Sequence, residues 1–189
     1  MPVKCKKIIE ELNKLAPEYY AEEWDNVGLM IGDEEQEIQR ILVALDAIPQ
    51  VVEEAVKEKV DLIITHHPFI YKPIKSIRKD HSLGNSIYRL IQNNISVYSA
   101  HTNLDIAFGG TNDTLAEILE LDNISILVDT TSEQDLGGKR YGMGRIGIRK
   151  TSSTLEEYAR FIKNKLGLSD VRIIGDPNHI INTVALTTG

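Results

Sequence analysis

The chain contains only one cysteine, Cys5, so no disulfide can form within it. A fold that needs no disulfide needs no oxidising compartment. Long apolar runs are also missing, because no stretch approaches the roughly 20 apolar residues that a membrane-spanning helix requires. No apolar run followed by a small-residue cleavage site stands at the N-terminus. We therefore expect a cytoplasmic protein with no membrane partner.

The chain also lacks an excess of positive charge. Lys and Arg total 21 against 28 Asp and Glu, which gives a formal net charge of −7. Such a chain repels a nucleic-acid backbone unless its basic residues gather on one face, and only the short run at 72–79 is dense in them. These features argue against nucleic acid as a partner. Hydrophobic residues at 42% and charged residues at 26% are ordinary for a globular protein and argue against disorder.

Short apolar runs of strand length alternate with amphipathic segments in the first two thirds of the chain. The runs predict strands at 41–45, 62–64 and 95–98, and the amphipathic segments predict helices at 3–15, 49–59, 86–91 and 111–121. The segment 22–33 has two glycines and an Asp-Asn pair, which predicts a loop. Alternating strands and helices indicate βαβ units, so we predict an α/β fold with a mostly parallel sheet.

The composition changes at 132–144, which is rich in glycine and polar residues and is a candidate boundary between two lobes. We therefore predict an N-terminal lobe at 1–131 that carries the site and the start of a second lobe at 132–189. Within the second lobe, the pattern predicts strands at 146–148, 171–174 and from 184 onward. A helix is predicted at 154–166, with Glu156 in the capping-box position.

The residues best suited to chemistry follow two of the predicted strands. His66 and His67 come directly after 62–64, and His101 and Asp105 come after 95–98. The carboxyl ends of parallel strands are where open sheets bind ligands, so these four residues are expected at one edge. Imidazole and carboxylate together suit zinc, manganese, iron or nickel. Because neighbouring side chains of an extended segment point in opposite directions, we expect His66 and His67 to serve different ions.

Simpler interpretations exist for each of these residues. A histidine at a strand end is more often a hydrogen-bonded structural residue than a metal ligand. His81 and His179 lie in loop-like segments without carboxylates behind them, and we interpret both as solvated. Asp25 and Asn26 have two interpretations, a turn stabilised by their own side chains and an auxiliary role at the site.

Four segments together resemble a known family. They are EWDNVGL at 23–29, THHP at 65–68, HTNLD at 101–105 and GGTND at 109–113. Their residues, order and separation closely resemble the GTP cyclohydrolase I type 2-like family of dinuclear-metal proteins. The resemblance covers essentially the whole chain.

The resemblance implies two similar α/β lobes, a centre of two divalent metal ions and a ring-shaped homohexamer. It implies that His66 and His67 each ligate one ion, with Asp105 as a further ligand and His101 beside the site. Family members also carry a C-terminal Gly-His motif with a nearby glutamate, and this sequence has no counterpart of either. We therefore expect a second lobe that is incomplete here. We further expect at most one ion to bind well in this chain and the chain to be catalytically silent.

The family's name implies hydrolytic opening of the GTP imidazole ring, which predicts a metal-dependent hydrolase. The sequence shows no guanine pocket and no triphosphate-binding lysine motif, so the small-molecule substrate stays open, with a nucleotide as one candidate. Two alternatives remain. The protein could be a metal-binding scaffold that acts through protein–protein interaction, or a phosphoesterase, since two-metal sites commonly act on phosphate esters.

Overall fold

The structure is a computed structural model, and it describes residues 1–131 and 140–188. The chain forms two compact units, Met1–Leu104 and Asp105–Gly189. The lobe boundary predicted at 132–144 falls largely on residues 132–139, which lie outside the described residues. Across the described residues, none of the helices combines the length and the apolar character needed to cross a membrane.

The first unit alternates strands and helices as the apolar pattern predicted. Its elements are β1 Val3–Lys4, α1 Cys5–Leu15, a 3-10 turn at Glu18–Tyr20, β2 Gly28–Ile31, β3 Glu37–Ile38, β4 Ile41–Ala44, α2 Pro49–Lys57, β5 Leu62–Thr65, α3 Ser82–Gln92 and β6 Ser96–Ser99. A short helix, α4 Thr102–Ile106, spans the division between the two units. The predicted strands and helices of this part are confirmed to within a few residues at their ends.

The main sheet of the first unit has the order β2-β6-β5-β4. β4 pairs with β5 and β5 pairs with β6 in parallel, which confirms the predicted parallel sheet. The predicted loop at 22–33 was wrong in part, because its second half forms β2 and pairs antiparallel with β6. β1 and β3 form a separate two-stranded sheet.

Helices pack on both faces of this sheet, because successive residues of its strands point to opposite faces and both faces are apolar. Ile63 and Val97 face a cluster that includes Val52 of α2 and Leu90 of α3. On the opposite face, Leu62 and Tyr98 pack in a cluster with Cys5 of α1. Apolar side chains on both faces are what a parallel sheet between helices requires. The α/β class is confirmed.

The second unit is built around an antiparallel sheet. Its further elements are α5 Thr111–Ile118, β7 Leu121–Asp129, β8 Gly142–Thr154, α6 Leu155–Lys165 and β9 Ile180–Leu186. The sheet has the order β7-β8-β9, and both pairings are antiparallel. Its core joins Ala116 of α5, Leu121 and Leu186 to the partly buried Phe161 of α6.

Two predictions for this unit were wrong in detail. Residues 171–174 form no strand, because this apolar run pairs with no strand in the described part of the chain. The capping-box residue of α6 is Glu157 and not Glu156. Thr154 is the N-cap, and the glutamate that returns to its backbone N–H lies three positions later.

A buried ion pair lies inside the second unit. Arg145 is 1% exposed and pairs with Asp113. Its guanidinium also donates to the backbone carbonyl oxygens of Gly142, Gly144, Ile106 and Ala107. The ion pair and these hydrogen bonds compensate the charge of the Arg145 guanidinium within the protein. Arg145 is therefore a structural residue that fixes the position of the start of β8.

Candidate metal centre

Three histidines meet at the carboxyl edge of the main sheet. His66 and His67 directly follow β5, and His101 comes two residues after β6. Each offers a ring nitrogen, and these ligand atoms all lie within 4.8 Å of one another. The ring centroids are 5.1 Å apart for His66 and His101, and 5.2 Å apart for His66 and His67. The parallel strands therefore bring distant parts of the sequence to one point.

The His66 and His67 rings do not point in opposite directions, and the reason is local, while their service to different ions stays a prediction. Both residues lie in a bend beyond the end of β5, so strand alternation no longer applies to them. The Thr65 hydroxyl donates to the His67 carbonyl oxygen at 2.9 Å and closes this bend. Thr65 also contacts the Ser99 hydroxyl at 2.8 Å, and both are buried. A buried pair of hydroxyls thus supports the turn that presents the two imidazoles.

Hydrogen bonds to Nδ1 orient the rings of His66 and His67. His67 Nδ1 lies 2.8 Å from Oδ1 of Asp46, the second residue after β4. His66 Nδ1 lies 3.0 Å from the carbonyl oxygen of Ala100. A carbonyl oxygen only accepts, so this Nδ1 carries the proton and Nε2 of the neutral ring carries the lone pair that a metal ion needs. Asp46 was not predicted from the sequence, although its position after a strand that points to the same edge was a usable signal.

Asp25 anchors the third ring. The Asp25 carboxylate lies 2.9 Å from His101 Nδ1 and also accepts from the backbone N–H and hydroxyl of Thr102 and from the backbone N–H of Asn26. Its side chain is fully buried. Burial alone raises the pKa of the Asp25 carboxyl, but the hydrogen bonds from Thr102, His101 and Asn26 outweigh it and hold that pKa below its ordinary value. Asp25 is therefore a buried carboxylate that orients His101.

Asn26 has a structural part in the same region. Its side-chain amide donates to the Ile70 carbonyl oxygen and ties the segment after the histidine pair to the segment before β2. Both interpretations given for the Asp-Asn pair thus have support, because the two residues stabilise the loop and Asp25 also reaches His101.

Asp105 is placed in the second compact unit. It is 2% exposed, and its Oδ1 accepts from the hydroxyls of Thr111 and Thr188. The side-chain amide of Asn112 donates to its backbone carbonyl at 2.9 Å. These bonds hold the carboxylate in a fixed orientation. Its role as a metal ligand stays a prediction.

Two aromatic side chains flank the histidines and were not foreseen as part of the site. The Trp24 ring is 6.3 Å from His101 and 6.4 Å from the Tyr71 ring, measured between centroids. Trp24 is 58% exposed and Tyr71 is 48% exposed, so both remain open to solvent. His81 and His179, by contrast, are exposed, as expected of solvated residues.

Comparison with known proteins identifies the family. The sequence profile of the family described as Duf34/NIF3 (NGG1p interacting factor 3) matches residues 3–189. The chain belongs to this family. The resemblance noted from the four sequence segments is thereby confirmed.

Relatives in the Duf34/NIF3 family share much of this sequence. A Clostridium perfringens protein named "GTP cyclohydrolase 1 type 2 homolog" is 40% identical over 187 residues, which cover 99% of this chain and 70% of that protein. A solved structure of a hypothetical protein from Staphylococcus aureus is 33% identical with a TM-score of 0.88, and the match covers 100% of this chain and 73% of that one. A Bacillus cereus protein related to NIF3 superposes with a TM-score of 0.90 at 24% identity, covering 99% of this chain and 77% of that one, and shows the shared fold.

Proposed function

We propose that this Duf34/NIF3 protein binds a divalent metal ion through His66, His67 and His101 and uses it for hydrolysis. The observation that carries the proposal is the meeting of three imidazoles whose Nδ1 atoms are all hydrogen-bonded. Metal-ligating histidines almost always have this arrangement, because the bond to Nδ1 fixes the ring and makes Nε2 the ligand. Asp105 remains the proposed further ligand, and a second ion is proposed on the family resemblance.

The donor set suits the ions expected from the sequence. Imidazole nitrogens bind zinc, iron and nickel well, and a carboxylate extends the range toward manganese. Three protein ligands leave a coordination position open, as in catalytic zinc sites. A bound ion would polarise a substrate oxygen and lower the pKa of a water molecule, which is the chemistry that metal-dependent hydrolysis needs.

The protein's own residues have defined parts in this proposal. Asp46 and Asp25 orient His67 and His101, and their negative charges favour a cation nearby. His67 has a side chain that is 47% exposed, so a substrate can approach the cluster from its side. The exposed Trp24 ring lies beside His101, and the exposed Tyr71 ring lies beside Trp24.

The substrate is proposed only as a class. The C. perfringens relative is named a homolog of a GTP cyclohydrolase, which makes a nucleotide the first substrate to test. Phosphate esters are the second. A cytoplasmic location, expected from the single cysteine, belongs to the same proposal.

A non-catalytic scaffold is the second candidate function. The family description speaks of an interacting factor, and an exposed apolar strand edge on this chain favours contact with protein. Metal ions would then be structural or regulatory.

One experiment separates the two candidates. The protein loaded with manganese or zinc is assayed against nucleotides and phosphate esters, beside His67→Ala and the control His81→Ala. Turnover that His67→Ala abolishes and His81→Ala retains supports the hydrolase. Metal binding without turnover of any substrate, both in this chain and in one extended by the family's C-terminal Gly-His motif, supports the scaffold. The proposed site itself is wrong if His67→Ala binds metal as tightly as the unchanged protein.

A further inference from the structure

A cavity of ≈ 310 Å³ lies beside the histidine cluster in the first unit. Its lining comes from the segment that includes His67, from the start of α2 and from the start of α3. Because His67 forms part of the wall, a molecule in this cavity lies against one of the three imidazoles of the candidate metal centre. We call this space the helix-start cavity.

Two helices begin at the helix-start cavity. Ile48 and Pro49 line it at the start of α2, and Ser82 and Leu83 line it at the start of α3. The first N–H groups of a helix have no partner within the helix and carry partial positive charge. Neither helix has a side-chain cap, and neither has an acidic residue in its first turn. Both helix starts thus retain N–H donors that an anion can use.

A buried hydroxyl at the same cavity is a second, independent observation. Ser86 lines the cavity one turn into α3 and is only 4% exposed. Within the described part of the chain its hydroxyl makes no hydrogen bond. The side chain of a residue this deeply buried opens only toward the cavity that it lines. A buried hydroxyl without a protein partner costs free energy unless a ligand or water bonds to it, so Ser86 offers a further donor to a bound molecule.

Local charge favours an anion here, although the chain as a whole is acidic. The segment 72–82, which leads into α3, has four basic residues and one acidic residue. Asp46 also lines the cavity, but its Oδ1 lies 2.8 Å from His67 Nδ1 and is engaged there. An ion at the histidine cluster would add positive charge next to the cavity.

The rest of the lining is apolar. It includes Ala47, Phe69 and Leu83. Phe69 packs against the core of the first unit, whereas Leu83 is 42% exposed. A wall of this kind suits a ring or a short aliphatic group, while the few polar groups fix its orientation. The volume is at the lower end of ligand pockets, which begin at about 300 Å³, so the occupant is a small molecule.

We propose that the helix-start cavity binds a small phosphate monoester. The phosphate oxygens accept from the first N–H groups of α2 and α3 and from the Ser86 hydroxyl, and the organic group lies on the apolar wall. The proposal rests on the proposed function in one respect, because His67 places this ester at the metal centre as its substrate. Backbone N–H groups leave no sequence motif, which agrees with the lack of a phosphate-binding lysine motif in the chain.

Phenylphosphonate is the probe, because it carries a phosphate-like dianion and a ring but has no ester bond to hydrolyse. Isothermal titration of the zinc-free protein measures its affinity without any contribution from zinc. Ser86→Ala should weaken binding about tenfold, since it removes one hydrogen bond to a charged group. Ser82→Asp should weaken it at least as much, because it puts a negative charge at the start of α3. Gln92→Glu adds the same charge about 15 Å away, at the other end of α3, and should bind normally.

Stability separates lost binding from lost folding. An acidic residue in the first turn stabilises a helix, so Ser82→Asp should keep or raise the melting temperature while it weakens binding. Inorganic phosphate should bind more weakly than phenylphosphonate, because it leaves the apolar wall uncovered. The proposal is overturned if phenylphosphonate shows no saturable binding, binds no tighter than inorganic phosphate, or binds equally well to Ser86→Ala and Ser82→Asp.

Failure of the proposed function gives a different result. Phenylphosphonate binding that depends on Ser86, together with no turnover of phenyl phosphate by the zinc-loaded protein, supports the helix-start cavity and argues against the hydrolase. Turnover of phenyl phosphate with a KM that Ser82→Asp leaves unchanged supports the hydrolase and overturns the helix-start cavity as its substrate site.

Discussion

Asp46 Oδ1 lies 2.8 Å from Nδ1 of His67, although the two residues are 21 positions apart. The parallel pairing of β4 with β5 makes this contact, because both residues lie just beyond the carboxyl ends of adjacent strands. A carboxylate in this place holds the ring in a fixed orientation. Asp46 would therefore orient His67 in the proposed metal site without itself being a ligand.

The first prediction concerns this pair. Asp46→Asn should weaken zinc binding by about 10–100-fold, because an amide can still accept from Nδ1 but carries no charge. Isothermal titration of the metal-free protein measures the change. Asp80→Asn, an exposed carboxylate paired with Arg78, is the control and should bind zinc normally. Equal affinity in both variants would show that Asp46 does not orient a ligand.

The second prediction uses the single tryptophan of the chain. Trp24 lies 6.3 Å from the His101 ring, so an ion held by the three histidines lies near the indole. Nickel, which quenches fluorescence, should lower Trp24 emission in a saturable way, and zinc added first should block the effect. His67→Ala should shift the titration to higher nickel concentrations, whereas His179→Ala should not. Quenching that is unchanged in His67→Ala would place the ion elsewhere.

The third prediction concerns the stability of the second unit. Arg145→Ala should lower the free energy of unfolding by about 3 kcal/mol or more, because it leaves the carboxylate of Asp113 without its partner inside the protein. Urea denaturation measures this change. Arg160→Ala removes an exposed partner of Glu156 and should cost no more than about 0.5 kcal/mol. Similar losses in the two variants would mean that the buried pair contributes little.

The fourth prediction is a pH dependence at the start of α6. The hydrogen bond from the Thr154 backbone N–H holds the pKa of the Glu157 carboxyl below its ordinary value of 4.5. A lowered pKa in the folded state adds stability that is complete above pH 4.5 and is lost as the pH falls through the lowered value. Glu157→Gln should therefore reduce stability near neutral pH and lose its effect in acid.

Thermal unfolding measured at several pH values checks this expectation. Glu53→Gln, an exposed change on α2, serves as the control and should show a much smaller difference at every pH. A stability difference for Glu157→Gln that grows on acidification would contradict the assignment, because the sign of the effect follows from the direction of the pKa change.

Much of the first unit could be predicted from sequence because its signals are local. The runs at 41–45 and 62–64 are continuous and apolar, which is the pattern typical of strands in a parallel sheet. β2 was missed because its glycines were interpreted as a loop signal. Gly32 has φ +126° and lies so close to β6 that an added Cβ would be 2.0 Å from Ser96 Oγ. The glycine there allows a close approach between chain segments, which a single sequence does not reveal.

The meeting of the three histidines was predictable from the sequence, but the side chains that support their rings were not. His66, His67 and His101 follow strands that must end at the same edge, so topology alone brought them together. Asp46 resembles any acidic residue after a strand, and only the parallel pairing shows that it reaches His67. The bend that brings the two adjacent histidine rings together depends on the Thr65 hydroxyl. Strand and helix patterns in a sequence do not predict a side-chain hydrogen bond of this kind.

The three bonds that fix the imidazole rings span 21, 34 and 76 positions of the chain. A partly folded chain therefore cannot present the cluster, because no local segment holds even two of these contacts. Long-range contacts of this kind form late and slow the folding of a domain. Any ion that prefers the assembled cluster stabilises the native first unit by an amount that grows with the logarithm of its free concentration. If the proposed metal site is correct, the melting temperature of that unit should rise with the concentration of free metal ion.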